Sequence, residues 1–272
     1  IAGLVAQLGA VPAMQIGHAG RKASAAPPWE GRRPLGPEEG GWEPLAPSAV
    51  PFSEGAKVPR EMTESDIQAA VEATASSAAR ARRAGFKLLE IHGAHGYLIH
   101  SFLSPLSNRR GDRYGGNFDN RIRFMLETVE AVRGEWPDEL PLFVRISCSD
   151  WVEGGWDLKQ SVALAHRLKA DGGVDLLDCS SGGNDPRQRI PKHPGYQVPF
   201  AETIRRETGL ATGALGLISR ADMAEEILGN GRADLVVMGR ALLADPHWPI
   251  NAAKALRVQP SWPVQYERAD VF

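Results

Sequence analysis

The chain has 272 residues, of which 43% are hydrophobic and 24% are charged, and its formal net charge is −2. This length and apolar content are sufficient for a large core in one or two domains. The nearly balanced charge gives no basic field for a nucleic-acid partner, and no run of about 18 apolar residues predicts a membrane span.

The predicted elements alternate between helices and strands along the chain. Apolar residues at positions 1, 4, 5 and 8 recur at helical spacing and predict a first helix that ends before Gly9. Mostly apolar runs predict six strands, at 11–16, 86–91, 142–147, 174–179, 210–215 and 234–238. Amphipathic patterns predict helices at 63–83, 120–133, 158–171, 201–207 and 219–228. This alternation predicts an α/β fold with a parallel sheet and right-handed crossovers.

Six strands are too few for a complete (β/α)8 barrel, which has eight. An open doubly wound sheet usually has a glycine-rich turn after its first strand, and no GxGxxG motif occurs here. We therefore predict one domain over 1–272 that is a TIM (β/α)8 barrel without its first two β/α units. The chain begins without Met inside a predicted helix, which fits a sequence entered partway through a domain. The first and last strands would then be edges.

One connection, residues 21–60, is too long for an ordinary loop and holds eight of the 20 prolines. A flexible linker is one interpretation. Trp29, Trp42 and Phe52 argue against it, because linkers rarely contain large aromatic residues. We predict a lid over the C-terminal face of the sheet, where barrel enzymes have their active sites.

The two cysteines, Cys148 and Cys179, lie in apolar, strand-like runs. We expect buried free thiols, which fit a reducing cytoplasm. The spacing is not that of a cysteine metal site.

A pair of histidines, His92 and His95, follows the second predicted strand. Positions three apart on a strand point to opposite faces, so these side chains converge only if the chain has begun to turn. Three roles remain open: metal ligands lacking a third partner, core histidines, or a donor pair for a developing negative oxygen. Tyr97, two residues further on, keeps its proton at neutral pH and is either an acid or a structural hydroxyl.

Two further patterns indicate polar ligands. Gly239 and Arg240 follow the last predicted strand, and Gly216 follows the strand before it. Glycine allows close approach of the backbone, so this pair of turns favours a phosphate cradle over capped surface turns. Gln15 and Arg145 lie on otherwise apolar strands, where Arg145 either forms an ion pair inside the barrel or holds a flat polar ligand.

Six motifs in order resemble the Old Yellow Enzyme family of FMN-dependent ene-reductases, most closely its thermophilic-like branch. They are QIGHAGRK from Gln15, IHGAHGYL from Ile91, FLSPLSN from Phe102, DRYGG from Asp112, NR from Asn120 and VMGR from Val237. The resemblance extends over nearly the whole chain. It implies a flavin-binding barrel that is an NAD(P)H-dependent oxidoreductase.

The resemblance also implies roles for residues. Gln15 and Arg145 would hold the pyrimidine side of the flavin, and the following would also contact it: Ser181, Gln197, and at the phosphate Gly216, Gly239 and Arg240. His92 and His95 would bind the oxygen of an activated alkene, an enone or a nitroalkene. Tyr97 would protonate one carbon of its double bond, and the flavin would deliver hydride to the other. NAD(P)H would occupy the same face of the flavin as the substrate, and no metal is implied.

The C-terminal tail, 260–272, contains Arg268, which by the resemblance would enter the substrate site of a neighbouring subunit. We accordingly expect a homo-oligomer, a dimer or a tetramer. Two other functions remain open. One is a metal-dependent barrel lyase or isomerase acting on a phosphorylated substrate, and the other is an inactive flavin-barrel fragment.

Overall fold

The computed structural model describes residues 1–260 and 262–269. Its elements, in chain order, are α1 (Ala2–Gln7), β1 (Ala13–Ile16), β2 (Leu45–Ala46), β3 (Arg60–Glu61), α2 (Glu64–Arg83), β4 (Leu88–Gly93), α3 (Leu98–Leu103), α4 (Phe118–Glu135), β5 (Leu142–Ser147), α5 (Leu158–Asp171), β6 (Leu176–Ser180), α6 (Val198–Thr208), β7 (Ala211–Ala214), α7 (Ala221–Gly229), β8 (Leu235–Val236), α8 (Arg240–Ala244) and α9 (Trp248–Ala255). Short 3-10 helices occur at Gly20–Lys22, Pro28–Glu30, Pro37–Glu39 and Val264–Ala269.

The main sheet has six strands in the order β1-β4-β5-β6-β7-β8. Every neighbouring pair is parallel, and strands that follow one another in the main sheet are connected through helices. The predicted α/β class with a parallel sheet is therefore confirmed. All six predicted strands form, and β1 and β8 lie at the two edges of the described sheet, as predicted.

The five long helices that the sequence predicts also form, as α2, α4, α5, α6 and α7. The helix at 158–171 has the predicted bounds. The short helix α3 was not predicted, because its six residues are fully buried and show no helical periodicity. Among the described residues, no helix has the length and apolar character needed to cross a bilayer.

The core lies between the sheet and the helices that cover it. Trp136, Trp156, Phe102 and Phe124 are its largest side chains, and all are buried. Burying side chains of this size removes enough apolar surface from water to offset much of the conformational entropy lost on folding. Cys148 and Cys179 are free and buried, so the prediction of two buried thiols is confirmed.

The long connection contains short 3-10 helices and the two-stranded ladder β2–β3. Trp29 and Trp42 are 83% and 58% exposed, so the ordering of this segment does not depend on burial of these two residues. Polar contacts hold it instead. The guanidinium of Arg21 is buried and donates to the backbone carbonyls of Val50 at 3.3 Å and Asn184 at 2.5 Å.

The start of α2 provides a test of local stability. The Thr63 hydroxyl accepts a hydrogen bond from the N–H of Asp66 at 3.1 Å, and the Asp66 carboxylate accepts from the N–H of Thr63 at 2.8 Å. We expect Thr63→Ala to lower the free energy of unfolding by about 1 kcal/mol, because it leaves an N-terminal N–H without its acceptor. Thermal denaturation measures this effect, with exposed Ser65→Ala as the control. Equal melting temperatures for the two variants would contradict the capping role.

Candidate active site

A row of polar residues crosses the middle of the sheet near the C-terminal ends of its strands. In the parallel register, His92 on β4 lies beside Arg145 on β5, and Arg145 lies beside Asp178 on β6. Neighbours across a sheet project from the same face, so these three side chains are on one side of it. Glu90 precedes His92 by two residues and shares that side. We refer to Glu90, His92, Arg145 and Asp178 as the polar row.

The structure brings the two histidines together through a turn at the end of β4. The strand ends at Gly93, and His95 has a φ of +60°, in the left-handed region. Its N–H donates to the Ser147 hydroxyl at 2.9 Å, and its carbonyl accepts from the Lys22 ammonium at 2.8 Å. The imidazole rings of His92 and His95 are consequently 5.0 Å apart between centroids. Backbone strain of this kind is typical of functional sites.

Both imidazoles are neutral at physiological pH. Burial, followed by the positive charge of Arg145, lowers the pKa of His92 to about 4 and that of His95 to about 3. The Nε2 atom of His95 lies 2.7 Å from the Ser180 hydroxyl. The Nδ1 atom of His92 is buried and has no hydrogen-bond partner among the described residues. A buried polar atom of this kind is costly unless a ligand satisfies it.

Tyr97 lies against the same pair. Its ring is 5.1 Å from the ring of His92 at an interplanar angle of 76°, and the Lys22 ammonium is 5.6 Å from its centroid. Tyr97 is the residue immediately before α3. Its hydroxyl has no hydrogen-bond partner within residues 1–260 and 262–269, which leaves it available to a bound molecule.

A cavity of about 650 Å³ opens beside the histidines, within the range of about 300–1,000 Å³ usual for small-molecule sites. Seven predicted site residues line it: His95, Arg145, Ser181, Gln197, Gly216, Gly239 and Arg240. These residues come from separate parts of the sequence, and the parallel strands bring them to one edge of the sheet. The cavity therefore gathers most of the residues that the sequence analysis assigned to a cofactor.

Four predicted residues do not line this cavity. Gln15 is exposed on the edge strand β1, and its side-chain amide donates to the carboxylate of Glu90. Arg268 is exposed in the terminal 3-10 helix. His92 and Tyr97 are adjacent to His95 without lining the cavity themselves.

The sequence analysis missed Asp178. Its carboxyl is 2% exposed in side-chain area, and one oxygen is 3.4 Å from Arg145 Nε. Burial raises its pKa to about 7, against the opposing charge of Arg145, and the neighbouring Glu90 raises it further. The sequence did contain a signal for this residue, because an acidic side chain inside the buried strand Leu176–Ser180 needs a charged or polar partner. The ion pair that the sequence left open for Arg145 thus exists, and Arg145 also lines the cavity.

A second missed group holds the turn after β4. The Nδ1 atom of His100 accepts from the N–H of Gly96 at 2.8 Å, and its Nε2 atom is 3.0 Å from Asp150. Burial opposes ionisation of Asp150, but His100 and the hydrogen bonds from Ser104 and Trp156 lower its pKa overall. These contacts fix the backbone between His95 and Tyr97. His100 follows Gly96 by about one helical turn, and this spacing could have indicated the hydrogen bond between them.

A glycine makes room for the histidine pair. A Cβ atom at Gly17 would lie 2.9 Å from the Cβ of His92, closer than real side chains approach.

The metal-dependent alternative finds less support: no group of three or more His, Cys, Asp or Glu side chains in the described part of the chain could hold a metal ion.

The fold and the site define a flavin oxidoreductase. Residues 1–259 match the model of the NADH:flavin oxidoreductase / NADH oxidase family, and the chain belongs to that family. It is therefore an FMN-dependent oxidoreductase, and the resemblance to the Old Yellow Enzymes is confirmed.

Characterised relatives are similar over almost the whole chain. It is 52% identical over 268 residues to an NADPH dehydrogenase of Geobacillus sp. (strain WCH70), covering 98% of this chain and 73% of the relative. It is 47% identical over 264 residues to the NADPH dehydrogenase of Bacillus subtilis (strain 168), covering 97% and 72%.

Solved structures of the same architecture are also similar. Morphinone reductase in complex with tetrahydroNAD gives a TM-score of 0.74 at 27% identity, over 97% of this chain and 71% of that one. A 2-naphthoyl-CoA reductase complex gives a TM-score of 0.81 at 28% identity, over 93% of this chain but 39% of that one. The prediction of a partial barrel is therefore confirmed.

The cavity fits FMN by its chemistry. The Nε atom of Arg145 is buried and makes no hydrogen bond in the described chain; its one charged contact is the 3.4 Å ion pair with Asp178, which leaves it able to donate to a polar ligand. A Cβ at Gly239 would meet no atom within 4 Å, so the backbone there opens onto free space beside Arg240. Gly216, with a φ of +117°, would place a Cβ 3.1 Å from the backbone nitrogen of Gln197.

Asp178 gives a pH prediction. Its pKa in the folded chain, about 7, is above the ordinary value of 3.8, so the unfolded chain loses this proton first. Its contribution to stability is therefore present below about pH 4 and declines as the pH rises towards 7. We expect Asp178→Asn to remove this decline, so that the stability of the variant relative to wild type in the flavin-free state increases by at least about 1 kcal/mol between pH 5 and pH 8.

Melting temperatures of both flavin-free proteins at pH 5, 6.5 and 8 measure this effect, with exposed Asp138→Asn as the control. The difference between variant and wild type should grow with pH. A difference that stays constant between pH 5 and pH 8 would show that Asp178 is already ionised in the folded chain.

Proposed function

We propose that the chain reduces the C=C bond of an activated alkene, an enone, a nitroalkene or a related compound, with NAD(P)H as the reductant. One observation carries the proposal. Two neutral imidazoles, 5.0 Å apart, and the Tyr97 ring, 5.1 Å from one of them, lie beside the cavity that fits FMN. Two hydrogen-bond donors and a proton donor at one point suit the polarisation and protonation of such an alkene.

In this proposal, Arg145 and Gln15 hold the pyrimidine side of FMN. Its remaining contacts are Ser181, Gln197, Gly216, Gly239 and Arg240, the last three at the phosphate. FMN, when bound, transfers hydride between NAD(P)H and the substrate. The Ser181 hydroxyl donates to Gln197 at 2.5 Å, which fixes the side-chain amide of Gln197 and leaves its NH₂ free to donate.

His92 and His95 act as donors to the carbonyl or nitro oxygen of the substrate. A neutral imidazole donates from one nitrogen only, so its partner on the other nitrogen decides the tautomer. Burial, assisted by the charge of Arg145, keeps both rings neutral. They bring no full positive charge, and the N–H groups are fixed in place before negative charge develops on the oxygen.

Tyr97 gives its proton to the carbon next to the activating group. Its position before α3, next to the turn that the His100 contact with Gly96 fixes, places its half-buried ring against the ring of His92. Lys22, whose ammonium is 5.6 Å from the ring, favours the negative charge left on the oxygen after transfer.

Beyond the site, we propose that residues 21–60 form a lid over this face of the sheet. We also propose that the chain acts in the cytoplasm as a homo-oligomer, a dimer or a tetramer, in which Arg268 enters the site of the neighbouring subunit. The exposed position of Arg268 leaves it free for such a contact.

The first test is a visible absorption spectrum of the purified chain after FMN is added and the excess removed. We expect a flavin spectrum that bleaches with NADPH under anaerobic conditions and recovers when an enone is added. A flavin spectrum without recovery by any alkene would indicate an inactive flavin-binding chain. A colourless protein would contradict the proposal for this chain.

Removal of both imidazoles separates substrate binding from flavin binding. We expect the double variant His92→Ala, His95→Ala to retain FMN but to lose alkene reduction by about 10²–10³-fold, because the oxygen loses its donors. Bound flavin is measured by absorbance and turnover by NADPH oxidation. The conservative variant His92→Asn, His95→Asn, which keeps N–H donors, should recover part of the activity. Loss of flavin in the first variant would count against the assigned roles.

Tyr97→Phe isolates the proton transfer. We expect the oxidative half-reaction with an enone to slow by about 10²-fold or more, while flavin reduction by NADPH keeps its rate, because only the former needs the proton. Stopped-flow spectroscopy separates the two steps. Equal slowing of both would show that Tyr97 is not the acid.

A further inference from the structure

A second cavity, of about 360 Å³, lies within the long connection, and we refer to it as the lid cavity. Three stretches of the segment form it: 21–25, 31–34 and 52–57. Lys22 links it to the histidine site, because this residue lines the lid cavity and also donates to the carbonyl of His95. A molecule bound at the histidines would therefore be close enough for an extended group to reach the lid cavity.

The charges around the lid cavity are unbalanced. Its lining contains five basic residues and a single acid, namely Arg21, Lys22, Arg32, Arg33, Lys57 and Glu54. Arg33 is neutralised by Glu39, which accepts two hydrogen bonds from its guanidinium at 2.9 and 2.6 Å. Arg21 is buried, donates to Asn184 and lies within the field of Asp185 and Asp150. Three basic side chains, Lys22, Arg32 and Lys57, therefore remain against the one carboxylate of Glu54. Such a concentration of one sign in a concave surface attracts the opposite sign.

Lys22 shows that the positive charges crowd one another. Its ammonium donates to the carbonyls of His95 and Gly183 at 2.8 and 2.7 Å, and it lies 4.2 Å from the Phe52 ring centroid. Burial, followed by the charges of Arg32 and Arg21, lowers its pKa to about 8. The described chain supplies carbonyl dipoles and a ring face to this ammonium but no carboxylate.

Arg32 is the basic residue of this group with the fewest contacts. It lies at the tip of a turn closed by the bridge between Ala25 and Pro34, and its φ is +54°. A left-handed conformation is uncommon outside glycine and costs free energy that some other contact must offset. Within the described residues, its side chain makes no hydrogen bond or ion pair. The turn therefore presents a free guanidinium at the edge of the lid cavity.

We propose that the lid cavity binds a phosphate monoester carried by a co-substrate whose reactive end lies at His92 and Tyr97. Arginine and lysine together suit this group, because guanidinium binds phosphate oxygens in pairs and ammonium adds a point charge. Two co-substrates could carry the phosphate, a reducing dinucleotide with a 2′-phosphate and a coenzyme A thioester with a 3′-phosphate. The identity of the carrier rests on the proposed function, whereas phosphate binding itself does not.

Calorimetric titration of the purified protein tests the proposal without any redox step. The probes are 2′,5′-ADP, which has the 2′-phosphate, 3′,5′-ADP, which has the 3′-phosphate, and 5′-AMP, which has neither. We expect at least one bisphosphate to bind about tenfold or more tightly than 5′-AMP at low ionic strength. Because the arginine at the edge of the cavity is exposed, added salt should weaken this preference.

The variant Arg32→Glu should remove the preference for the bisphosphate, and its matched control is Arg83→Glu, a charge reversal at an exposed position of α2. Preferential binding of 2′,5′-ADP identifies the dinucleotide, preferential binding of 3′,5′-ADP identifies the thioester, and equal binding identifies phosphate alone. The proposal is overturned if no bisphosphate binds better than 5′-AMP, or if Arg32→Glu binds as the control does. The same titration on the flavin-free chain separates the two proposals. If the bisphosphate still binds there, phosphate binding stands even where the proposed reductase activity fails.

Discussion

The guanidinium of Arg145 is the group on which the rest of the site depends. It lies beside Asp178, 3.4 Å from that carboxylate, and next to His92 in the strand register. A buried cation needs an anionic partner, and a buried acid needs a cation, so each makes the other tolerable in the sheet. Burial is the main cause that keeps the imidazoles of His92 and His95 neutral, and the charge of Arg145 acts in the same direction. For Asp178 the same charge opposes the effect of burial, so Arg145 influences the protonation of the acid on one side and of the two donors on the other.

The turn after β4 depends on contacts from three separate parts of the chain. Ser147 binds the N–H of His95, Lys22 binds its carbonyl, and His100 binds the N–H of Gly96. Because His95 has left-handed backbone geometry, its imidazole stays near His92 only while these contacts persist. The geometry of the donor pair is therefore a property of the folded tertiary structure and not of the local sequence.

Much of this arrangement could be predicted from the sequence. Mostly apolar runs such as that of β5 predicted the parallel strands, and the strand ends then placed Gly216, Gly239 and Arg240 at one edge. Asp178 could not be assigned, because its role depends on the cross-strand partner, and one strand does not specify its register with the next. The exposure of Trp29 and Trp42 was missed for a related reason: composition indicates order in the long connection, but only the tertiary contacts of Arg21 and Lys22 show what produces it.

The two hydrogen bonds of Lys22 have a thermodynamic consequence. Its ammonium joins the long connection to His95 and Gly183, so the ordering of this segment and of the left-handed turn are coupled. Linkage requires that such a coupling be reciprocal. A molecule that stabilises the turn must also stabilise the ordered segment, and a molecule that stabilises the segment must also stabilise the turn that places the two imidazoles. Binding in the long connection therefore changes the stability of the histidine turn, and binding at the turn changes that of the long connection, without a change of fold.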